Sequence, residues 1–545
     1  MENFTTLKEL LISSEKRHKN KTAFLLKDKG NAIYSVTYEK FKKDCDCLGT
    51  ALLYDLGAKD KNIAIFMANC YEWCVTYLAV TGGVGTVVPL DKELPAGELE
   101  NIIGFAEIEV IITDESHLEV IRQMTTKTNL RVVVTGETTH ENTLSFQSLL
   151  LAGEELLSQG QGDYLTAMTY PEQISTLLFT SGTTGMTKGV MLSNSNICSD
   201  IIAVSKYVCL KDSDVSLSVL PLHHTYESIA FLMFVSCGAA IGFCEGFRRL
   251  KENFIEYKPT IFVTVPLILE SLHKRIVSRI ESEGKGNTAR LITKVSPVIP
   301  LESRKKIFAD IHSFFGGRLR LIICGAAALQ KQTAKDFMSY GITVVIGYGL
   351  TECSPIVICN SEAEPTIDSV GKPLVGVQAK ILNPDENGIG EIAVKGPMIM
   401  KGYYKNKEQT DKVMVHGWFR TGDLGYEDKN GNYHITGRCK NIIVTAGGKN
   451  VYPEELEYYL SKENVIGECM VYSEGDDIIS VEILPSLEDI KKKLKKNVVS
   501  DEEIHSAVKE AVRSVNRNIP GYKRIRKVVI RKEEFKKTST HKIKR

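Results

Sequence analysis

The sequence predicts an α/β chain with a large N-terminal part, a small β-rich stretch after it and a compact α+β module at the end. Three observations predict it. Over the first ~170 residues, amphipathic helical patterns alternate with short apolar runs such as 62–67 and 108–113, the change of period that marks α/β units. Further on, four apolar runs each lead into a small or polar loop. From Lys380 the texture changes: Gly388, Gly390, Gly396, Gly402, Gly417 and Gly422 punctuate short alternating segments. Beyond 441, helical and strand patterns fill about 105 residues, the size of a small domain.

In chain order, run 177–179 leads into TSGTTG (180–185), run 215–220 into PLHHTYE (221–227), run 319–324 into GAAAL (325–329), and run 342–346 into GYGLTE (347–352). Ligands of open α/β sheets sit beyond the carboxyl ends of strands, so four such loops predict one composite site. The stretch GRCKN (437–441) reads as a boundary. After it, 454–462 and 501–517 read as helices, and 469–472 and 479–484 as strands.

Composition narrows the function classes. Of 545 residues, 43% are hydrophobic and 25% charged, which excludes a collagen-like, disordered or disulfide-scaffold chain. Lys plus Arg is 68 and Asp plus Glu is 67, a formal charge of +1, which argues against a whole-molecule polycation for nucleic acid. The sum hides an asymmetry. Residues 486–545 hold 19 Lys/Arg and 8 Asp/Glu, a net of +11, so the other 485 carry −10. The 13 cysteines are scattered, and neither close pair, Cys45/Cys47 or Cys70/Cys74, has histidines at zinc-site spacing. That usage fits a reducing cytoplasm. No signal-peptide pattern is visible at MENFT. Residues 228–244 are 17 uncharged positions, short of the roughly 20 a span needs, and read as a buried helix followed by a buried strand.

The loop TSGTTGMTK (180–188) is the sharpest local signal. Glycines let backbone N–H groups curl around an anion, hydroxyls add donors and Lys188 supplies charge. It is not a Walker A loop, because TKG (187–189) breaks that ending. Read alone, the other candidates are bland. Asp423 is a turn residue between Gly422 and Leu424, Lys542 is one more solvated lysine of a basic tail, His223 and His224 are loop histidines, and Gly447-Gly448 is equally well a simple turn.

The ordered set of motifs changes those readings. TSGTTGMTK (180–188), YGLTE (348–352), GEIAVKG (390–396), GWFRTGDLG (417–425), GRCK (437–440) and TSTHK (538–542) together resemble the adenylate-forming superfamily of acyl-CoA synthetases, luciferases and peptide-synthetase adenylation domains. The resemblance spans the full length. Its fold implication is a large N-terminal domain over 1–437 with two stacked αβα sheets and a β-barrel-like subdomain from about 380. A hinge at 438–441 and a mobile α+β lid over 442–545 complete it. Its chemical implication is attack of a carboxylate on the α-phosphate of MgATP, giving acyl-adenylate and pyrophosphate, then displacement of AMP by a thiol. Thr187 and His541 depart from the residues many relatives carry at those places.

By that resemblance, Thr180, Ser181, Gly182, Thr183, Thr184, Gly185 and Lys188 cradle the β- and γ-phosphates, with Gly325 and Gly349 also lining the nucleotide. Glu352 holds Mg²⁺, and Thr351 donates to the α-phosphate. Tyr348 packs on adenine, Asp423 accepts the ribose hydroxyls, and Arg438 stands beside them. Lys542 bridges the substrate carboxylate and the α-phosphate, offsetting the charge that builds up in the transition state. His224 lies near the acyl carboxylate, Tyr226 gates the acyl pocket, and His223 keeps its bland reading. Lys440 is the hinge, and Gly447 and Gly448 close over the thiol arm of coenzyme A.

HHTYE (223–227), PTIFVTVP (259–266) and NVYPE (450–454) resemble the bacterial long-chain fatty acid–CoA ligases within that superfamily. The apolar run 229–243 suits an alkyl chain. The expected cofactors are ATP, Mg²⁺ and coenzyme A, and the expected location is the cytoplasm, with peripheral contact at the inner membrane face as a further expectation. An acyl carrier protein is the alternative thiol acceptor. A nucleotide-binding or membrane-associated protein without turnover is the alternative outside catalysis. The basic tail either favours closure over bound phosphate or brushes an anionic membrane surface.

Overall fold

A computed structural model describes residues 3–125, 129–136, 142–180, 188–284, 293, 295–445, 450–473, 478–537, 543 and 545. The expectations for Ser181, Gly182, Thr183, Thr184, Gly185, Gly447, Gly448 and Lys542, and the departures at Thr187 and His541, lie outside the described residues.

Val- and Ile-rich runs build two large sheets, because β-branched residues suit strands covered on both faces. One sheet has nine strands, with Thr343–Gly349, Leu321–Cys324, Ile261–Thr264, Val215–Ser218 and Ala240–Phe243 as consecutive neighbours. All of these pairs are parallel. The other has eight strands and includes Lys61–Phe66, Gly85–Pro89, Ile174–Thr180 and Lys188–Ser193. The four loop-bearing runs are therefore divided. Three belong to the nine-stranded sheet, and Ile174–Thr180 belongs to the eight-stranded one.

Strands Ile174–Thr180 and Lys188–Ser193 pair antiparallel, with Thr180 the register partner of Lys188. A Walker A loop instead links a strand to a helix, so the topology agrees with the broken motif. Residues 228–244 fold as part of the helix Thr225–Cys237 and the strand Ala240–Phe243. Every residue of that helix except Tyr226 is buried, which accounts for its being apolar all round. Among the described residues no helix is long and apolar enough to cross a membrane.

An antiparallel sheet of five strands follows, with Gly390–Lys395 beside Trp418–Glu427 and Tyr433–Arg438 paired to the latter. The last part of the chain has its own apolar core, made by Val451, Leu456, Val481, Val508 and Val512 among others. It holds the helices Pro453–Leu460 and Asp501–Arg517 and the strands Ile466–Ser473 and Ile479–Pro485, as the pattern predicts. The helix Leu487–Leu494 and the strand Lys527–Ile530 go beyond that reading. The first carries its apolar period, Leu487, Ile490 and Leu494, over only eight lysine-rich residues, and the second is a short edge strand flanked by basic residues.

Candidate active site

The ends of the strands bring the predicted side chains together in two clusters. In the first, Asp423 and Arg438 are register partners on adjacent strands. Arg438 Nε lies 2.8 Å from Asp423 Oδ1. On the other oxygen, Oδ2, Asp423 accepts a hydrogen bond from Tyr348 Oη at 2.8 Å. Asp423 is only 5% exposed. A buried carboxylate needs such partners, and here they fix its orientation. Burial first, and then Asp423, push the Tyr348 phenol well above its usual range, so it stays a donor. A carboxylate, a phenol and a guanidinium thus converge beside Gly349. A Cβ at Gly349 would lie 1.7 Å from the Pro355 carbonyl oxygen, so no larger residue fits there.

In the second cluster, Glu352 Oε1 accepts a hydrogen bond from Tyr403 Oη at 2.8 Å. Lys188 Nζ lies 5.0 Å from the centroid of the same tyrosine ring. Thr351 Oγ1 accepts from Thr225 Oγ1 at 3.2 Å, which ties the 351–352 turn to the first residue of the buried helix. Among the described residues no group of three or more His, Cys, Asp or Glu side chains could hold a metal ion. A metal at Glu352 would therefore draw its other ligands from water and phosphate, and Mg²⁺ is ordinarily bound in that way. The donor set fits Mg²⁺ with a nucleotide.

His224 precedes the buried helix, and its ring centroid is 4.3 Å from that of His223. His223 is buried, with Nε2 3.5 Å from Asp91 Oδ1. Burial and the neighbouring His224 hold it below the usual histidine range, so it is a neutral ring. Tyr226 donates to the carbonyl oxygens of Ile323 at 3.1 Å and Thr264 at 3.4 Å. A Cβ built on Gly325 would come 3.3 Å from the Tyr226 ring, so Gly325 lies beside that tyrosine. Behind Tyr226 is an apolar space of about 20 Å³, lined by Ile229, Ala230, Met233, Phe234 and Val263 among others. It holds about one water and no alkyl chain.

Lys440 sits where the two parts of the chain meet. Burial lowers its pKa, as do Arg438 and Arg545, while Asp423 and Glu454 oppose them. Lys440 is thus within electrostatic reach of the Asp423 cluster. Asn441 donates to Glu454 of the helix Pro453–Leu460.

Two residues lie outside the sequence reading. Tyr403 belongs to no motif used there, and its only local signal is the glycine before it. Glu227 is buried, with Oε2 unpartnered. Its pKa is pushed up to about 8 by burial, against a Ser218 hydroxyl and the Val219 N–H.

Residues 12–404 match the family described as AMP-binding enzyme, and residues 440–545 match the AMP-binding enzyme C-terminal domain. The chain is 30% identical over 479 residues to long-chain-fatty-acid–CoA ligase 5 of Rattus norvegicus, covering 81% of this chain and 69% of that one. It is 28% identical over 513 residues to a chloroplastic long-chain-fatty-acid–[acyl-carrier-protein] ligase of Arabidopsis thaliana, covering 80% and 70%. An anthranilate CoA ligase in complex with anthranoyl-AMP shares the fold, with TM-score 0.79 at 21% identity over 100% of this chain and 96% of that one. ATP-bound MatB from Rhodopseudomonas palustris does so with TM-score 0.75 at 21% identity, over 98% and 97%. From the matched stretches, the two-sheet fold and the clusters around Glu352 and Asp423, the chain belongs to the AMP-binding enzyme family, the adenylate-forming superfamily.

Proposed function

We propose that the chain is a long-chain fatty acid–CoA ligase. With ATP and Mg²⁺ it activates the acid to an acyl-adenylate, releasing pyrophosphate, and then transfers the acyl group to coenzyme A with release of AMP. Membership of the family supports the acid–thiol ligase chemistry. One observation favours a long alkyl substrate: the space behind Tyr226 is lined by apolar side chains and the tyrosine, without a charge. A polar acid would there lose its hydration with no partner to replace it.

In this reading Glu352 holds Mg²⁺, and Thr351, Thr180, Ser181, Gly182, Thr183, Thr184, Gly185 and Lys188 orient the phosphates. Asp423 and Arg438 bind the ribose side, with Tyr348 against the base. Lys542 comes in with the 442–545 module, which swings about residues 438–441. Gly447 and Gly448 serve the thioester pose. The location is cytoplasmic with peripheral membrane contact, since the substrate partitions into bilayers.

Pyrophosphate exchange across acids of increasing chain length tests the substrate. Exchange should rise with length and be weak for aryl and acetyl acids, and a flat profile would sink the alkyl reading. Offering coenzyme A against acyl carrier protein tests the acceptor. Thioester formed with carrier protein alone would replace coenzyme A in the second step. Lys542→Ala should lower adenylation by at least about a hundredfold, the scale of losing one transition-state charge contact, while sparing thioester formation from supplied acyl-adenylate.

A further inference from the structure

Residues 400–404 make contacts that their sequence gives no reason to expect. The Met400 N–H donates to the Glu352 carbonyl at 2.8 Å, Lys401 N–H to Met191 O at 2.9 Å, and Tyr404 N–H to Gly189 O at 2.7 Å. Gly402 and Tyr403 pair antiparallel with Met191 and Val190. One short run is thereby stitched both to the Glu352 turn and to the strand that begins at Lys188. Gly402 has φ +131°, and a Cβ there would meet Thr410 at 2.8 Å. The same threonine accepts from the Tyr403 N–H at 2.9 Å. The backbone around Tyr403 is fixed from both sides.

The side chain completes the bridge. Tyr403 is 5% exposed, its hydroxyl donates to Glu352 Oε1, and its ring faces Lys188. We propose that Tyr403 is a positioning residue for adenylation. Its hydroxyl sets the Glu352 carboxylate for the metal, and its ring face sets the Lys188 ammonium for the nucleotide phosphates. This rests on the reading of Glu352 as the Mg²⁺ residue. The two contacts are chemically separate, a charge-assisted hydrogen bond and a cation–π contact, so two substitutions separate them. Tyr403→Phe removes the hydroxyl and keeps the ring, whereas Tyr403→Leu removes both.

Calorimetric titration of ATP into the whole protein, with Mg²⁺ and with EDTA, reads the two contacts apart from turnover. Tyr403→Phe should weaken ATP binding in Mg²⁺ by about tenfold, the scale of a lost hydrogen bond to a charged group, and leave binding in EDTA unchanged. Tyr403→Leu should weaken both. Glu352→Gln is run alongside. If Glu352→Gln loses the Mg²⁺ effect and Tyr403→Phe keeps it, the proposal for Tyr403 is wrong and the metal reading stands. If both variants keep the full Mg²⁺ effect, the metal reading fails and the proposal fails with it. Loss of binding by Tyr403→Phe in EDTA as well would mark the residue as merely structural and overturn the proposal.

Discussion

At the residue scale, the consequential side chains are buried polar groups with few partners. Asp423 has a partner on each oxygen, and removing it leaves Arg438 and Tyr348 without theirs. Asp423→Ala should raise KM for ATP by about tenfold or more, since hydrogen bonds to charged groups are worth roughly 1.5–3 kcal/mol. ATP-dependent pyrophosphate exchange measures this. Glu227 makes a pH prediction. Its folded pKa, about 8, lies above the ordinary 4.5, so between those values the folded chain holds a proton that the unfolded chain has lost. Stability therefore falls as pH rises through that window, by at most about 1.4 kcal/mol per unit, and is level above it. Glu227→Gln should flatten the dependence. Urea unfolding at pH 5.5 and 8.5 would show it, and an unchanged slope in the variant would refute this assignment.

At the element scale, the helix Thr225–Cys237 does two things at once. It carries Tyr226 and Glu227 at its start and lines the small apolar space with Ile229, Ala230, Met233 and Phe234. Its apolar character was legible as a run without charge, but the run alone did not distinguish a core helix from an acyl wall. Only the strands Ile261–Thr264 and Leu321–Cys324 opposite it make a pocket. Ala230→Phe should fill that space. The expected result is at least a tenfold loss of kcat/KM for long acids with short acids spared, at an overpacking cost of about 1–3 kcal/mol. A uniform loss across chain lengths would place the acyl chain elsewhere.

At the scale of the whole molecule, the question is what holds the C-terminal module. Among the described residues several polar contacts tie it to the rest: Lys274 with Asp489, Gln330 with the Ser461 carbonyl at 3.2 Å, and Tyr452 with Asp385 at 3.3 Å. Separate apolar cores and polar contacts between them suit a part that moves. Lys274→Glu, at the exposed end of that pair, should shift thermal stability little, because ion pairs at the surface are worth about 0–1 kcal/mol. It should change the ratio of adenylation to thioester rates by up to about fivefold, the same energy read as a population shift. An unchanged ratio in paired half-reaction assays would remove that contact from the conformational balance. The basic tail also looks different at this scale. Residues 442–485 hold 9 Asp/Glu and 2 Lys/Arg, so the module over 442–545 carries only +4. Lys523 with Glu455, Arg531 with Glu482 and Lys537 with Glu468 pair the excess internally, which leaves a weaker field for closure or for a membrane than the +11 implies.

Sequence by itself determined the class of the fold, the order of its motifs and most of the candidate residues, because those depend on local chemistry: glycines where backbone can curl or approach closely, hydroxyls and a lysine in a pattern that suits phosphate, and strand runs written in Val and Ile. It did not determine partnership. Thr180 and Lys188 come from one sheet, Glu352 follows a strand of the other, and Tyr403 arrives from fifty residues further on to join them. That pairing depends on hydrogen bonds between strands distant in the chain, which leave no period or motif in either segment. The position of the Tyr226 ring was likewise decided only in three dimensions, by where its hydroxyl finds its two carbonyl acceptors.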